Sequence, residues 1–256
     1  MNLTFDEVFE MPHKVYIAQP SGDSPRYHDF EIAMDQIWRP KGTHRPAPIR
    51  GLYPCNGQNL AAREFLKTDC DWFWLVNDDQ VFAPTALARL LLHDKDAVVP
   101  LCLEKNPPHH PLIYDAPGKD GMHPYRYLRR GEHGLVRIFS SGGGGMLLKR
   151  KVIEAIPDPW WDQRMVKDND GNWQLMSEDL PFCEKVNAAG FEMWCDLDFS
   201  PLHLGTWGVR PRFNPQTGEW ATEVGRYGGA YSVPAARHPS GIQEVERRIV
   251  VPNFRR

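Results

Sequence analysis

Short apolar runs alternate with stretches of helical periodicity over the first hundred residues of the chain. The apolar runs are KVYIAQ at 14–19, WFWLVN at 72–77 and AVVPLCL at 97–103. They are rich in β-branched and aromatic residues and do not alternate with polar positions, which is typical of strands covered on both faces. We therefore predict three buried strands.

Helices are predicted between these strands. Apolar residues recur three or four positions apart across 27–38, and two further helices are predicted over 56–69 and 85–94. Pro84 suits the first turn of the third helix, where a missing N–H is tolerated. Strands that alternate with helices predict an α/β fold with a mostly parallel central sheet flanked by helices.

The pattern loosens after residue 103. A long excursion rich in Pro, His, Gly and Arg is predicted over 104–135. The elements predicted beyond it are strands at 136–139 and 146–150, a helical turn at 151–156, a helix from Ser177 to Ala189, a strand at 191–196, a hairpin around 214–218 and a short helix at 241–251. No internal repeat interrupts this order, so we predict a single domain over 12–208 with a C-terminal extension over 209–256.

Composition and charge narrow the class of protein. The chain has 256 residues, of which 25% are charged and 41% hydrophobic, as in ordinary globular proteins. Its net charge is −3, but the segment from Arg210 to Arg256 holds eight Arg and four Glu, a net +4, so the remainder carries −7. An acidic body with a basic tail indicates that the tail is a region where the molecule on which the protein acts could bind.

The five cysteines are scattered and form no CxxC pair. This pattern argues against a disulfide framework or a structural zinc site and favours a reducing compartment. The N-terminal segment lacks the pattern of a secretory signal, and no apolar run approaches the ~18 to 20 residues of a membrane span. We expect a cytoplasmic protein with no membrane partner.

Acidic residues follow the second predicted strand directly, at Asn77-Asp78-Asp79. Ligands of open α/β sheets bind outside the carboxyl ends of the strands, and a hard divalent cation would offset the repulsion between the two carboxylates. Asn and Asp are also favoured turn residues, so a turn that ends the strand is the alternative.

A second acidic pair opens the helix predicted from Ser177. Ser177 is a plausible N-cap, and Glu178 and Asp179 in the first turn would complement the helix dipole. The functional alternative makes one of these carboxylates a general base at the mouth of the same cleft.

Three further groups carry candidate chemistry. His203 could supply an imidazole ligand to Mn²⁺ or Mg²⁺, or be a hydrogen-bonded loop residue. The glycines at 142–145 would let the backbone approach a ligand closely, or form a flexible hairpin. Asn56, Asn59 and Arg63 share a helical face that would hold a diphosphate or be solvated.

The order of these motifs resembles the GT-A class of nucleotide-sugar glycosyltransferases, and within it the family 2-like enzymes of bacteria and phages. WFWLVNDDQVFAP is similar to that family's hydrophobic strand followed by D-x-D and Pro, and GGGGMLLKRKVIEAI to its Gly-rich acceptor wall. SEDLPFCEKVNAAGFEMWCD is similar to its Glu-Asp block, and LHLG to its closing His. The resemblance covers about residues 12–208 and implies a Rossmann-like GT-A domain, in the host cytoplasm if the protein is phage-encoded.

The resemblance also implies roles for individual residues. Asp179 would be the catalytic base, supported by Glu178, while Asp79 and His203 would bind the metal. The remaining residues that it implies form two groups. The donor-binding group is Gln19, Asn59, Arg63, Asn77, Asp78 and Asp79. The acceptor-binding group is Gly143, Gly144, Gly145 and Trp207. The departure from the family pattern is Asn77, which stands where the first acid of D-x-D is usual and contributes no charge.

The implied reaction is metal-dependent transfer of a sugar from a nucleoside diphosphate sugar, with a UDP-sugar expected, to an acceptor hydroxyl. The Glu-Asp block implies that the anomeric centre is inverted. Acidic clusters at strand ends also serve nucleotidyltransferases and metal-dependent phosphohydrolases, and a non-catalytic nucleotide- or carbohydrate-binding module is a further alternative.

The acceptor is left open by the sequence. The excursion contains HPYRYLRRGEHGLVR at 123–137, in which Tyr and Arg interleave, and the tail adds further arginines. This composition suits nucleic acid, so DNA with a modified base is a candidate partner, or it forms a solvated basic loop. A protein and a glycan are the other acceptors that we consider.

Overall fold

The fold is seen in a computed structural model that describes residues 3–22, 27–50, 52–118, 123–168, 170–205, 208–226 and 229–234. The helices are α1 Phe5–Phe9, α2 His28–Gln36, α3 Pro54–Leu66, α4 Ala86–Leu92, α5 Arg150–Ala155 and α6 Asp179–Ala188. The strands up to the Gly-rich segment are β1 Val15–Ala18, β2 Trp72–Leu75, β3 Gln80–Val81, β4 Ala97–Pro100, β5 Ile113–Tyr114, β6 Leu135–Ile138 and β7 Ser140–Ser141. Those after it are β8 Met146–Lys149, β9 Arg164–Lys167, β10 Trp173–Met176, β11 Met193–Asp196, β12 Leu202–His203, β13 Gly208–Asn214, β14 Glu219–Arg226 and β15 Gly229–Pro234.

The central sheet has six strands in the order β1-β2-β8-β4-β11-β6. β1 pairs with β2 and β4 with β11 in parallel, while β8 and β6 run in the opposite direction. Four of the six strands thus share one direction, which confirms the predicted α/β class with a mostly parallel sheet.

Helices cover both faces of this sheet because the side chains of β2 alternate between two cores. Phe73 and Leu75 pack with Phe65 of α3 and Phe182 of α6. Trp72 and Trp74 pack on the other face, in the cluster that contains residues of α2 and α4. Their full burial explains why the run WFWL shows no polar alternation.

A second sheet lies beside the carboxyl end of β2 and has the order β15-β14-β13-β12-β3. β3 begins directly after Asp79, and β12 carries His203, which lies opposite Gln80 in the register. The predicted hairpin is confirmed, since β13 and β14 pair in antiparallel fashion around residues 214–219. This sheet contains strands from the predicted domain, β3 and β12, and strands from the predicted C-terminal extension, β13 to β15. The helix predicted at 241–251 lies outside the described residues.

Two details of the predicted helices are wrong. Pro84 precedes Thr85, the N-cap of α4, and so lies outside the helix rather than in its first turn. Glu178, not Ser177, is the N-cap of α6, and the hydroxyl of Ser177 bonds the Glu178 carboxylate instead of a helix N–H. No helix in the described part of the chain is both long and apolar enough to cross a bilayer.

Candidate active site

The two adjacent acids after β2 have different partners. The carboxylate of Asp78 accepts a hydrogen bond from the Ser21 hydroxyl, just beyond the end of β1. Asp79 Oδ2 lies 2.5 Å from Lys105 Nζ and 3.4 Å from His203 Nε2. Each acid therefore has its own partner, which offsets their mutual repulsion. The side chain of Asn77 is partly exposed.

His203 is held in a fixed orientation beside Asp79. Its Nδ1 lies 2.7 Å from the carbonyl oxygen of Leu103, and since a carbonyl only accepts, Nδ1 is the donor. Nε2 therefore faces Asp79, where it donates when the ring is charged and binds a cation when the ring is neutral. Burial alone would raise the pKa of Asp79, but hydrogen bonds and charge from His203 and then Lys105 outweigh it and hold the pKa below its usual range.

The pair Asp79 and His203 fits a divalent cation. Asp79 Oδ1 is buried and has no hydrogen-bond partner among the described residues. One carboxylate oxygen and one imidazole nitrogen are ligands that suit Mn²⁺ or Mg²⁺. Within the described ranges no group of three His, Cys, Asp or Glu side chains converges on one point. The protein would thus supply two ligands.

The Gly-rich segment after β7 packs against Asp179 and against Gln80, the residue that follows Asp79. The Gly143 N–H donates to the Asp179 carboxylate, and a Cβ at Gly143 would overlap Asp179 Oδ1. A Cβ at Gly144 would overlap the buried amide of Gln80, the residue after Asp79. Two consecutive glycines are therefore required for the side chains of Asp179 and Gln80 to pack against the same segment of backbone.

Asp179 lies at the start of α6 and is only 8% exposed. Its Oδ1 accepts a hydrogen bond of 3.2 Å from Gln58 Nε2. Burial raises the pKa of Asp179 to about 7, the charge of Glu178 adds to this, and the hydrogen bonds from Gly143 and Gln58 act in the opposite direction. Glu178 is also buried, 3.4 Å from Gln163 Nε2. The sequence thus predicted a carboxyl pair that the fold buries at one end of the Gly-rich segment.

Two of the predicted donor-binding residues bind within the protein. The Asn59 amide donates to the Trp161 carbonyl and accepts from the Trp161 N–H, at 2.7 and 3.0 Å. Arg63 makes a two-point ion pair with Asp158 at 2.6 and 2.7 Å. These partners come from a segment about a hundred residues away, so the local spacing that suggested a diphosphate site did not predict them.

Gln19 lies at the end of β1, near Ser21. Its Oε1 accepts from Arg45 Nε at 3.3 Å, while its Nε2 is buried without a partner among the described residues. That amide N–H₂ is thus available to a ligand. Of the predicted acceptor-binding residues, Gly145 has a φ of +76° beside Phe82, and Trp207 lies outside the described residues.

Tyr and Arg side chains of the excursion have partners within the protein. Arg126 pairs with Asp115 at 2.9 Å and also with Glu132, and Arg130 donates to the Thr217 carbonyl. Tyr125 stacks on neighbouring rings and donates to Glu104. Among the described residues, Arg126, Arg130 and Tyr125 of the excursion thus have partners within the protein.

Four polar residues of the site were missed by the sequence analysis. They are Ser21, Gln58, Gln80 and Lys105. Gln58 and Gln80 adjoin predicted site residues, so their neighbours were a usable signal. Nothing local distinguishes Lys105, which reaches Asp79 from the segment after β4.

Comparisons with known proteins bear on the fold. No family model and no curated protein matches the chain. Among solved structures it is similar to A197 from STIV, with a TM-score of 0.51 and 14% identity over 92% of this chain and 100% of that chain. It is also similar to residues 1–349 of S. aureus TarS in complex with UDP-GlcNAc, with a TM-score of 0.44 and 11% identity over 73% of this chain and 57% of that chain. The chain therefore shares its fold with A197 over nearly the whole of both sequences.

Proposed function

We propose that this protein is a glycosyltransferase that moves a sugar from a nucleoside diphosphate sugar to an acceptor hydroxyl with inversion. The observation that carries the proposal is the Gly-rich segment, which lies against Asp179 at one glycine and against Gln80, next to Asp79, at the following glycine. The same segment of backbone thus contacts a buried carboxyl with a pKa near neutrality and the residue that follows Asp79, the acid that we propose binds a cation. A general base and a means of neutralising the leaving diphosphate both favour transfer to a hydroxyl.

Asp179 acts as the general base. Its carboxylate takes the proton of the acceptor hydroxyl as the hydroxyl oxygen attacks the anomeric carbon, a contribution of ~10²–10⁴-fold. The bond from that carbon to the diphosphate oxygen breaks, and the electron pair leaves with the nucleoside diphosphate. The Gly143 N–H and Gln58 orient the carboxylate for this step.

The donor lies at the carboxyl ends of β1 and β2 in this proposal. Gln19, Asn77 and Asp78 contact its nucleoside and sugar. Asn77 and Asp78 lie just after β2, and the Gln19 amide has a buried N–H₂ without a partner among the described residues. Asp79 and His203 would hold a Mn²⁺ or Mg²⁺ ion, which would supply Lewis-acid neutralisation of the diphosphate. Asn59 and Arg63 are left out of the donor set because their side chains bind Trp161 and Asp158.

The test is product analysis after incubation with UDP- and GDP-sugars and Mn²⁺. Release of nucleoside diphosphate together with a glycosylated acceptor supports the proposal. Nucleoside monophosphate or pyrophosphate would instead identify a phosphohydrolase or nucleotidyltransferase. Binding of donors without turnover would identify a binding module.

The acceptor class is tested in the same assay with hydroxymethylated DNA, a protein lysate and simple sugars. DNA is retained as a candidate because of the arginines in the tail. Binding to DNA that weakens steeply with added salt supports it, since such binding releases counterions.

A further inference from the structure

Lys105 is placed at the predicted metal site by the segment that follows β4. Its ammonium lies 2.5 Å from Asp79 Oδ2, and its side chain is 39% exposed. Two residues earlier, the carbonyl of Leu103 orients His203. The segment 103–105 therefore orients His203, one partner of Asp79, and supplies Lys105, the other partner.

The charges around Asp79 differ from those of the motif that the sequence resembles. Asn77 is neutral at a position where the D-x-D motif that the sequence resembles has an acid, so the site has one negative charge less for a cation. Asp79 is only 19% exposed, so the ion pair is more strongly desolvated than the surface pair of Lys14 and Asp69, whose side chains are 51% and 81% exposed. A permanent positive charge thus occupies part of the space around Asp79.

We infer that Lys105 is a catalytic residue of the transfer reaction, which moves from Asp79 to the donor's diphosphate as the donor binds. The inference rests on the proposed function. The acceptor oxygen forms its bond to the anomeric carbon, its proton goes to Asp179, and the electron pair of the broken carbon–oxygen bond stays on the diphosphate. The Lys105 ammonium takes no part in this proton transfer and neutralises the negative charge that the bond cleavage adds to the diphosphate.

The same geometry makes Lys105 a competitor of a divalent cation. Asp79 Oδ2 is the carboxylate oxygen nearest His203 Nε2, at 3.4 Å, so a cation shared by Asp79 and His203 would displace the ammonium from this oxygen, and removal of the ammonium frees it. Substitution of Lys105 is expected to have two opposite effects, on the affinity for Mn²⁺ and on the affinity for a diphosphate. Loss of a structural ion pair would not produce both.

The experiment compares the whole protein with its Lys105→Met and Lys105→Arg variants by calorimetry. One titration uses Mn²⁺ alone, and the other uses UDP in the presence of EDTA. A hydrogen bond to a charged group contributes ~1.5–3 kcal/mol, so Lys105→Met is expected to weaken UDP binding by about tenfold or more and to strengthen Mn²⁺ binding. Lys105→Arg keeps the charge and is expected to retain UDP binding to within a few-fold.

The matched control is Lys14→Met, which removes a lysine paired at the same 2.5 Å distance at the opposite end of β1. It is expected to change neither affinity. The inference is overturned if Lys105→Met binds both UDP and Mn²⁺ as the unmodified protein does. Failure of the unmodified protein to bind any UDP or GDP, with or without Mn²⁺, overturns the proposed function and the inference with it.

Discussion

Asp179 combines burial with a neighbouring like charge, and these two effects set its acid–base behaviour. Both effects disfavour the ionised form, so the pKa of its carboxyl is raised to about 7. A base is most effective when its pKa lies near the working pH, because it is then both ionised and able to hold a proton. The residue that the Glu-Asp motif pointed to therefore has the environment that a general base requires.

We expect sugar transfer to decline on the acid side of about pH 7, as Asp179 takes up its own proton. Asp179→Asn should abolish transfer at every pH while UDP binding stays nearly intact. Initial rates measured from pH 5 to pH 9, together with calorimetry of UDP binding, check this. Asp69→Asn, an exposed acid at the other end of β2, should keep the profile of the unmodified protein. A variant at 179 that retains most of its turnover would show that the base lies elsewhere.

The same pKa predicts how stability depends on pH. The folded protein holds a proton on Asp179 up to about pH 7, whereas the unfolded chain releases it near 3.8. The free energy of unfolding therefore falls as the pH rises through this window, by up to roughly 3 kcal/mol between pH 5 and pH 7. Asn does not titrate, so the Tm of Asp179→Asn relative to the unmodified protein should rise on the order of 5 °C over that range. Thermal unfolding at pH 5 and pH 8 measures it, and a constant difference would contradict the raised pKa.

Single residues could be predicted from sequence where the motif itself fixes the environment. Asp79 and His203 were predicted to share a site. In the structure, Asp79 Oδ2 lies 3.4 Å from His203 Nε2. Asn59 and Arg63 were placed with the donor, yet their partners Trp161 and Asp158 lie about a hundred residues along the chain. Helical spacing gives the face of a helix but not the segment that packs on it.

The Gly-rich segment shows what a connection between two strands contributes at the scale of elements. β7 and β8 belong to different sheets, and the glycines between them leave room for two polar side chains from elsewhere. A flexible hairpin was one alternative for this run. Asp179 and Gln80 instead approach Gly143 and Gly144 so closely that these two positions cannot carry a side chain without a shift of their neighbours.

Alanine substitutions along this segment should differ sharply in their effects. Gly143→Ala and Gly144→Ala place a methyl group on Asp179 and Gln80, which are both buried, so each should lose roughly 1–3 kcal/mol of stability and most of the transfer activity. Gly142→Ala is the matched control, because its methyl group would meet Leu112 at 3.4 Å in ordinary contact. Urea unfolding and initial rates compare the three. Equal effects at all three positions would mean that general rigidity, not these two contacts, is what matters.

The elements were predictable where their apolar pattern was uninterrupted. β1, β2, β4, β8 and β11 and the helices α2 to α4 appear within a few residues of the predicted ranges. The hairpin of β9 and β10 was not predicted. Met165, Trp173 and Leu175 lie on its exposed face and only Val166 and Met176 of its apolar residues are buried, so its apolar pattern does not mark a face packed on the core.

At the scale of the whole molecule, the C-terminal hairpin packs beside the elements that hold His203. β13 pairs with β12, which carries His203, and Val209 and Val224 form a small core with Leu103. The Leu103 carbonyl in turn orients His203. The sequence predicted the hairpin from its turn residues but not its attachment, because pairing between distant strands depends on the three-dimensional fold.

We therefore expect Val224→Ala to affect both stability and the site. Removal of two buried methyl groups should lower the free energy of unfolding by about 1–3 kcal/mol. The cavity beside Leu103 should also loosen His203, so Mn²⁺ binding should weaken a few-fold. Gln216→Ala, in the exposed turn of the same hairpin, should change neither quantity. If Val224→Ala loses stability but keeps its full affinity for Mn²⁺ by calorimetry, the hairpin supports the fold without positioning the imidazole that Asp79 faces.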